Sequence, residues 1–362
     1  MHKKEQDLFF ELCKFLNTDC GELDKLLPNA ATSRVLGELF YNRMAATAYG
    51  TLKAAALLNK VTREFRNSID LAYQQNLEKN NSFFICLKRL TKILNSKEQK
   101  YAMLKGAYLC GIYPAGYRTS NDVDLLVRPE DVSEIGDALI LAGFEQGSIQ
   151  NGEFKKATRR EIIESKMTRG ETVPYILEVN LPYMRFFEVD INFSLDYKNG
   201  DEQVVNSILE RAVNRYVNGV KIRIPDRYDF FIHLCTHLYK EGTTYPWVKM
   251  KRDMTLYKFS DIYLLSDDFG ELGISELFYR AKELEAAEMC ACAIIWTDAL
   301  FGLKNENIVA TARKELEGKQ SLLNSVIVPS ENKIFRYCEK DIKKRFFSDN
   351  RTELLEEYNE KA

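Results

Sequence analysis

Along residues 1 to 97 apolar positions recur every three or four residues, the period of helices with one buried face. Leu8, Phe9, Leu12 and Leu16 mark the first stripe, and "SRVLGELFYNRMAATAYGTLKAAALLNK" continues in the same style. From Val61 to Leu94 there is no proline or glycine. Phe65, Ile69, Tyr73 and Leu77 are four apart, and Phe84, Leu87, Leu90 and Leu94 are three or four apart. The wider gap falls at Asn80–Asn81, so the spacing predicts one long helix or two joined at the asparagines.

The period changes in the middle of the chain. "YAMLKG" is a short apolar run ending at a glycine. A brief helix-forming piece, a Pro/Gly turn and then "DVDLLV" follow it. "RPEDVSEIGDALILAGF" has Pro129 and Glu130 near its start and Gly143 near its end, which are helix start and stop signals. "YILEVNL" and "FFEVDINFSLD" alternate like strands. From residue 201 the chain reads as mainly helical again and closes on a charged tail. The expected fold class is α+β: a small mixed sheet over residues 98–200, between mainly helical regions at 1–97 and 201–362. No repeat of fixed period is present.

Charge narrows the choice of partner. Among 362 residues, 51 Lys and Arg stand against 53 Asp and Glu, a net charge of −2. That balance argues against broad, charge-driven binding of a long nucleic acid. No apolar run approaches the roughly 18 residues of a transmembrane helix, so no membrane association is expected. The opening "MHKKEQDLFFELCKFL" reads as an amphipathic helix in preference to a signal peptide. Eight cysteines are scattered without a CxxC pair, which predicts reduced thiols in a cytoplasm. P-loop, dinucleotide-turn and nucleophile-elbow motifs are absent.

The chemistry concentrates in "LKG…GYRTSNDVDLLV". In a strand, Asp122 and Asp124 point their carboxylates the same way, while Val123, Leu125 and Val127 take the buried face. Such a pair is either a solvent-facing acidic edge or a cation site, and its surroundings favour the second. Gly106, at a strand end and helix start, lets the backbone approach a phosphate. Arg118 and Ser120 supply a guanidinium and a hydroxyl for phosphate oxygens. Asp190, between Val189 and Ile191, supplies a third carboxylate, with Glu188 and Glu178 as rivals. Three carboxylates beside phosphate-binding groups suit one or two Mg²⁺ ions, which would clamp the oxygens of a phosphoryl displacement.

These residues resemble the signature of the DNA polymerase β-like nucleotidyltransferase superfamily: a glycine turn at a helix start, then hDhDh on the next strand. The resemblance is greatest to its bacterial branch called nucleotidyltransferase family 5. It rests on Leu104-Lys105-Gly106, Tyr113-Pro114, Arg118, Asp122 to Val127 and Gly143-Phe144, in that order. The resemblance implies that Asp122, Asp124 and Asp190 are catalytic and ligate magnesium, two ions in all. It also puts Lys105 and Gly106 under the triphosphate of an NTP such as ATP, with Arg118 and Ser120 on its oxygens. The chain departs from the superfamily in having Lys105-Gly106 for the commoner Gly-Ser or Gly-Gly turn. Where the superfamily often has a glutamate and a histidine two residues on, this chain has Asp190 and Asn192.

Two further constellations keep two readings each. His233 and His237 share one helix face, either as structural histidines or, as the resemblance allows, as substrate contacts. "WVKMKRDMTLYK" brings Trp247, Lys249, Lys251, Arg252 and Lys258 close in sequence, as a solvated basic face or as nucleotide contacts. Asp261 is expected to orient a basic neighbour. His237 and Lys258 are the nominated nucleotide contacts of this region. The expected activity is transfer of an NMP from an NTP to an acceptor hydroxyl with release of pyrophosphate. A small-molecule or protein acceptor is favoured. The alternatives are an inactive nucleotide- or protein-binding regulatory module, and a toxin or defence transferase acting on tRNA or protein. The sequence assigns no oligomeric state.

Overall fold

A computed structural model describes all residues except 16–17, 97–98, 169, 195–201, 330, 332 and 359–362. Leu16, the expected boundaries at 97/98 and 200/201, and the last two residues of "FFEVDINFSLD" lie outside the described residues. The chain forms two compact units, residues 1–69 with 231–362, and residues 70–230. The fold is α+β, with a mixed sheet and a larger helical part, as the sequence pattern predicts.

The first unit begins with α1 (Lys3–Cys13), α2 (Cys20–Ala30), α3 (Ser33–Tyr41) and α4 (Ala45–Ala54). Asp19 and Thr32 stop the preceding loops by accepting from the first free N–H groups of α2 and α3. The helix α5 (Arg63–Asn95) is unbroken through Asn80 and Asn81; with no proline or glycine in it, the gap in its apolar stripe does not end it. Its first residues belong to this unit and the rest to the second.

The second unit carries β1 (Tyr101–Met103), α6 (Gly106–Ile112), β2 (Asp122–Val127), α7 (Val132–Leu141), β3 (Glu145–Gln150), β4 (Glu153–Lys156), α8 (Arg159–Thr168), β5 (Tyr175–Leu181) and β6 (Met184–Asn192). After them come α9 (Glu202–Arg211), β7 (Val213–Val217) and β8 (Val220–Ile224). Six strands form one sheet in the order β1-β2-β6-β5-β3-β4, in which β2 and β6 run parallel and the other neighbours antiparallel. Val123, Leu125 and Val127 are sealed in one apolar cluster with Phe83, Leu87 and Leu90 of α5 and Ile135 and Leu139 of α7. Leu126, on the aspartate face, is also fully buried, and α9 packs on β2. The carboxylates therefore occupy the open end of a face that is closed further along. The hairpin β7–β8 is a strand pair inside the stretch expected to be helical. Its turn is Asn218-Gly219, both at positive φ (45° and 74°), the backbone that a tight hairpin demands.

The remaining elements are α10 (Arg227–Thr243), α11 (Tyr245–Lys249), α12 (Leu256–Ser266), α13 (Glu271–Glu283), α14 (Ala287–Phe301) and α15 (Glu306–Glu315), then β9 (Ser325–Val328), β10 (Lys333–Tyr337), α16 (Ile342–Phe346) and β11 (Leu355–Tyr358). They complete the first unit, apart from the opening turn of α10. The charged tail is thus not simply helical: β9, β10 and β11 form a three-stranded antiparallel sheet. Phe9 and Phe10 of α1 meet Phe346 and Phe347 with ring centroids 5.5 to 5.9 Å apart, so opposite ends of the chain close one core. Arg351 clamps Asp253 through two nitrogens at 2.8 and 2.9 Å, both side chains buried. Among the described residues no helix is long and apolar enough to cross a membrane.

Candidate active site

The site is built on one strand pair. Parallel pairing sets Asp122 opposite Glu188 and Asp124 opposite Asp190. Paired residues of adjacent strands share a face and stand about 4.8 Å apart. Four carboxylates therefore line one face. A fifth acid extends the row, because Glu171 bridges to Asn192 just beyond Asp190. Sequence periodicity misses Glu171, which lies in an irregular stretch ahead of β5 and is placed by that bridge, with its carbonyl accepting from the Ser165 hydroxyl at 3.1 Å. Burial first, and then the charges of Asp124, Asp122, Glu188 and Glu171, hold the Asp190 carboxyl well above its ordinary range. Burial and then Asp122 also raise Glu188, against the opposing pull of Asn121 and Lys79.

Three local contacts relieve this crowding. The Lys105 ammonium donates to Asp124 Oδ1 at 3.3 Å. The Ser120 hydroxyl donates to Asp122 Oδ1. Asn121 Nδ2 donates to Glu188 Oε1 at 3.3 Å, while its own oxygen accepts from Lys79 Nζ at 3.2 Å. Arg118 lies beside Ser120, with Nη1 donating to the Thr119 carbonyl at 2.7 Å. Lys105 takes φ 43° and ψ −114°, a conformation uncommon outside glycine. Gly106 follows it because nothing larger fits. A Cβ there would stand 2.6 Å from Ser120 Oγ and 2.8 Å from Ser120 Cβ.

Asp122, Asp124, Asp190, Lys105, Gly106 and Ser120 thus come together around the ends of β1, β2 and β6, with Arg118 on the loop that leads into β2. Glu188 joins the row. Glu178 does not: it accepts from Arg185 Nε at 3.1 Å, and Arg185 also forks onto Glu153. His237 and Lys258 belong to the other unit, where both meet Glu241. His237 Nε2 lies 3.6 Å from Glu241 Oε1, and the buried Lys258 ammonium pairs with Glu241 Oε2 and donates to the Arg252 carbonyl at 2.8 Å. His233 and His237 stack at 6.2 Å. Lys249, Lys251 and Arg252 are exposed, Trp247 is half-buried and Asp261 is buried in α12.

An oxygen-only, anionic donor set without thiol or imidazole suits a hard dication. Among the described residues no three His, Cys, Asp or Glu side chains form a group that could hold a metal ion. Magnesium commonly takes one or two carboxylates and completes its shell from phosphates and water. Asp122 and Asp124, on one face of β2, are the one or two carboxylates such an ion would need, and Asp190 stands across the strand pair.

An acid-rich strand pair beside a Lys-Gly helix start is the arrangement expected from the resemblance to nucleotidyltransferases. Residues 28–302 match the family described as "Uncharacterised nucleotidyltransferase", and the chain belongs to it. Among curated proteins none matches the chain. Among solved structures, the chain is similar to an antigenic nucleotidyltransferase-like protein from Paracoccidioides brasiliensis. The two are 16% identical over 52% of this chain and 76% of that one, with a TM-score of 0.32.

Two predictions follow from the packing and the charges. Gly106→Ala is expected to cost about 1–3 kcal/mol, the usual range for overpacking a close contact. Ser120→Gly in the same chain should recover much of that, as read by urea denaturation. Asp190 holds its proton more tightly folded than unfolded, so its contribution to stability is greatest below about pH 3.9, the unfolded value. It falls as pH rises through the raised folded value. In chelator at pH 7.5, Asp190→Asn is therefore expected to melt a few degrees above the native protein, on the order of 1 kcal/mol. The gap should close towards pH 4; a variant that melts lower at pH 7.5 contradicts the assignment.

Proposed function

We propose that the protein is a magnesium-dependent nucleotidyltransferase that moves an NMP from an NTP to an acceptor hydroxyl and releases pyrophosphate. The observation that carries this reading is the register of β2 with β6, which lines up Asp122 and Asp124 with Asp190 beside Lys105, Gly106 and Ser120. Asp122, Asp124 and Asp190 would hold the magnesium, which when bound neutralises triphosphate charge and favours departure of pyrophosphate.

The chain's own groups have separable tasks. Lys105, paired with Asp124 in this state, turns its ammonium to a triphosphate oxygen when nucleotide enters. Gly106 keeps the backbone low enough for that approach. Ser120 orients Asp122, and Arg118, held by the Thr119 carbonyl, faces phosphate oxygens. Asp190 Oδ takes the proton of the acceptor hydroxyl as general base. Positioning and charge balance dominate phosphoryl transfer, so these tasks account for most of the catalysis. The near-neutral net charge favours a small-molecule or protein acceptor.

The test is pyrophosphate release with each of the four NTPs and Mg²⁺, with and without a lysate as a source of acceptors. Release is expected in the native protein and absent from Asp122→Asn/Asp124→Asn. Nucleotide binding that persists without Mg²⁺ in that variant, and no release by either protein, favours a regulatory module. Lys105→Met separates the two duties of the lysine. Nucleotide affinity should fall roughly 10- to 100-fold, the weight of one charge-assisted bond. Mn²⁺ affinity, measured without nucleotide by electron paramagnetic resonance, should rise because the competing cation is gone. If both affinities move together, Lys105 is not exchanged between carboxylate and phosphate.

A further inference from the structure

The unit made of residues 1–69 and 231–362 holds an open cavity of about 710 Å³, walled by α14, the turn at 320–324, β10 and α16. That volume falls within the roughly 300–1,000 Å³ of small-molecule sites. Trp296, Arg336, Tyr337, Lys340, Lys343 and Arg345 lie on the wall, with Ile295, Ala299 and Ile342 supplying apolar surface. Of the wall residues Asp341 alone is acidic. Its carboxylate is engaged in accepting from the Lys343 and Lys344 amides at 2.8 and 3.3 Å. Four cationic residues therefore share the wall with one occupied acid, the Arg336 guanidinium lying 3.3 Å over the Tyr358 ring and the Lys343 ammonium 5.5 Å from the Phe10 ring.

Three polar atoms of this wall, Tyr337 Oη, Arg345 Nε and Arg336 Nε, are buried without a hydrogen-bond partner. The residues Tyr337 and Arg345 are only 6% and 3% exposed. A buried donor left unmade costs about 1–3 kcal/mol, so such groups call for a reason. The internal contacts explain how Arg345 is held: its guanidinium stacks 4.6 Å over the Tyr337 ring, and Nη1 donates to the Leu323 carbonyl at 3.2 Å. Trp296 Nε1 donates to that same carbonyl at 3.2 Å. None of these contacts uses Tyr337 Oη or Arg345 Nε. A buried cation fixed in place, with unused donors and apolar wall beside it, is the chemistry of an oxyanion site.

We propose that this cavity binds a small organic oxyanion, a phosphate or carboxylate carried on an apolar or flat body. Arg345 and Tyr337, whose unpaired donors lie just beneath the wall, turn them to the anionic head when it enters, the apolar wall takes the body, and the exposed Lys340 and Lys343 draw the ligand in. The inference is independent of nucleotidyl transfer, since no residue is shared with the carboxylate row.

Isothermal titration calorimetry of the full chain tests it, with 1-naphthyl phosphate and 1-naphthoate as probes and 1-naphthol as the uncharged control. Saturable one-site binding of at least one anion is expected, at least tenfold tighter than naphthol. The tighter of the two identifies the head group. Arg345→Met removes the charge but also the contact to Leu323, so the exposed pair Lys340→Glu/Lys343→Glu and the mild Tyr337→Phe serve beside it. Each should weaken binding, the charge reversal by roughly tenfold or more, while Asp122→Asn/Asp124→Asn leaves it unchanged. The proposal is overturned by no saturable binding of either anion or by naphthol binding equally well. It is also overturned if binding is lost in the aspartate variant and kept in the cavity variants.

Discussion

The parallel register of β2 on β6 places Asp124 opposite Asp190 and Asp122 opposite Glu188, and much of the second unit is arranged around that crowding. Carboxylates on neighbouring strands repel, and burial raises the energy of each further. The fold sustains the pair because Val123, Leu125, Val189 and Ile191 on the opposite face are fully buried. Slipping β2 by one residue against β6 would turn Val123 and Leu125 outward. The apolar face fixes the register, and the acidic face has to accept it.

How it accepts is visible in the backbone. Lys105 reaches Asp124 from the residue just before α6, at a positive φ that an L residue rarely holds. Strain of this kind persists where surrounding contacts over-determine it and collects at functional positions. Here Gly106 sits against Ser120, and the Leu104 amide bonds to the Asp124 carbonyl at 2.9 Å. The turn is therefore pinned on both sides of Lys105. The same Ser120 that excludes a side chain at 106 also donates to Asp122, so one residue sets both the close backbone approach and the orientation of a carboxylate.

Much of this was legible because it is local. The alternation in "DVDLLV", the helix signals around Pro129 and Gly143, and the glycine after Lys105 each depend on near neighbours in the chain. The partners of those elements are not local. Asp190 and Glu188 alternate on one strand and were both eligible. Glu178 is set apart by its fork with Arg185, which depends on how β5 folds back on β6. Glu171 enters the row through a single bridge that no period announces. Asn218-Gly219 is a different case: the hairpin signal stands in the sequence between two alternating runs, "NRYV" and "VKIRI". The helical character of the flanking segments masked it.

Lys258 shows why residue type alone does not locate a ligand contact. A lysine in a basic stretch invites a phosphate, yet this one is buried against Glu241 and the Arg252 carbonyl. A buried ion pair resists having one partner drawn away, since the other would remain as an uncompensated charge. Lys105 pairs with an acid as well, but its setting differs. Asp124 has Asp190 as a like-charged neighbour, so a dication arriving on the proposed reading would compensate more negative charge than the lysine does. Release of Lys105 then leaves no bare carboxylate behind. Two lysines with superficially similar salt bridges therefore differ in what their carboxylate does when they leave, and on the proposed reading that difference makes Lys105 the exchangeable one.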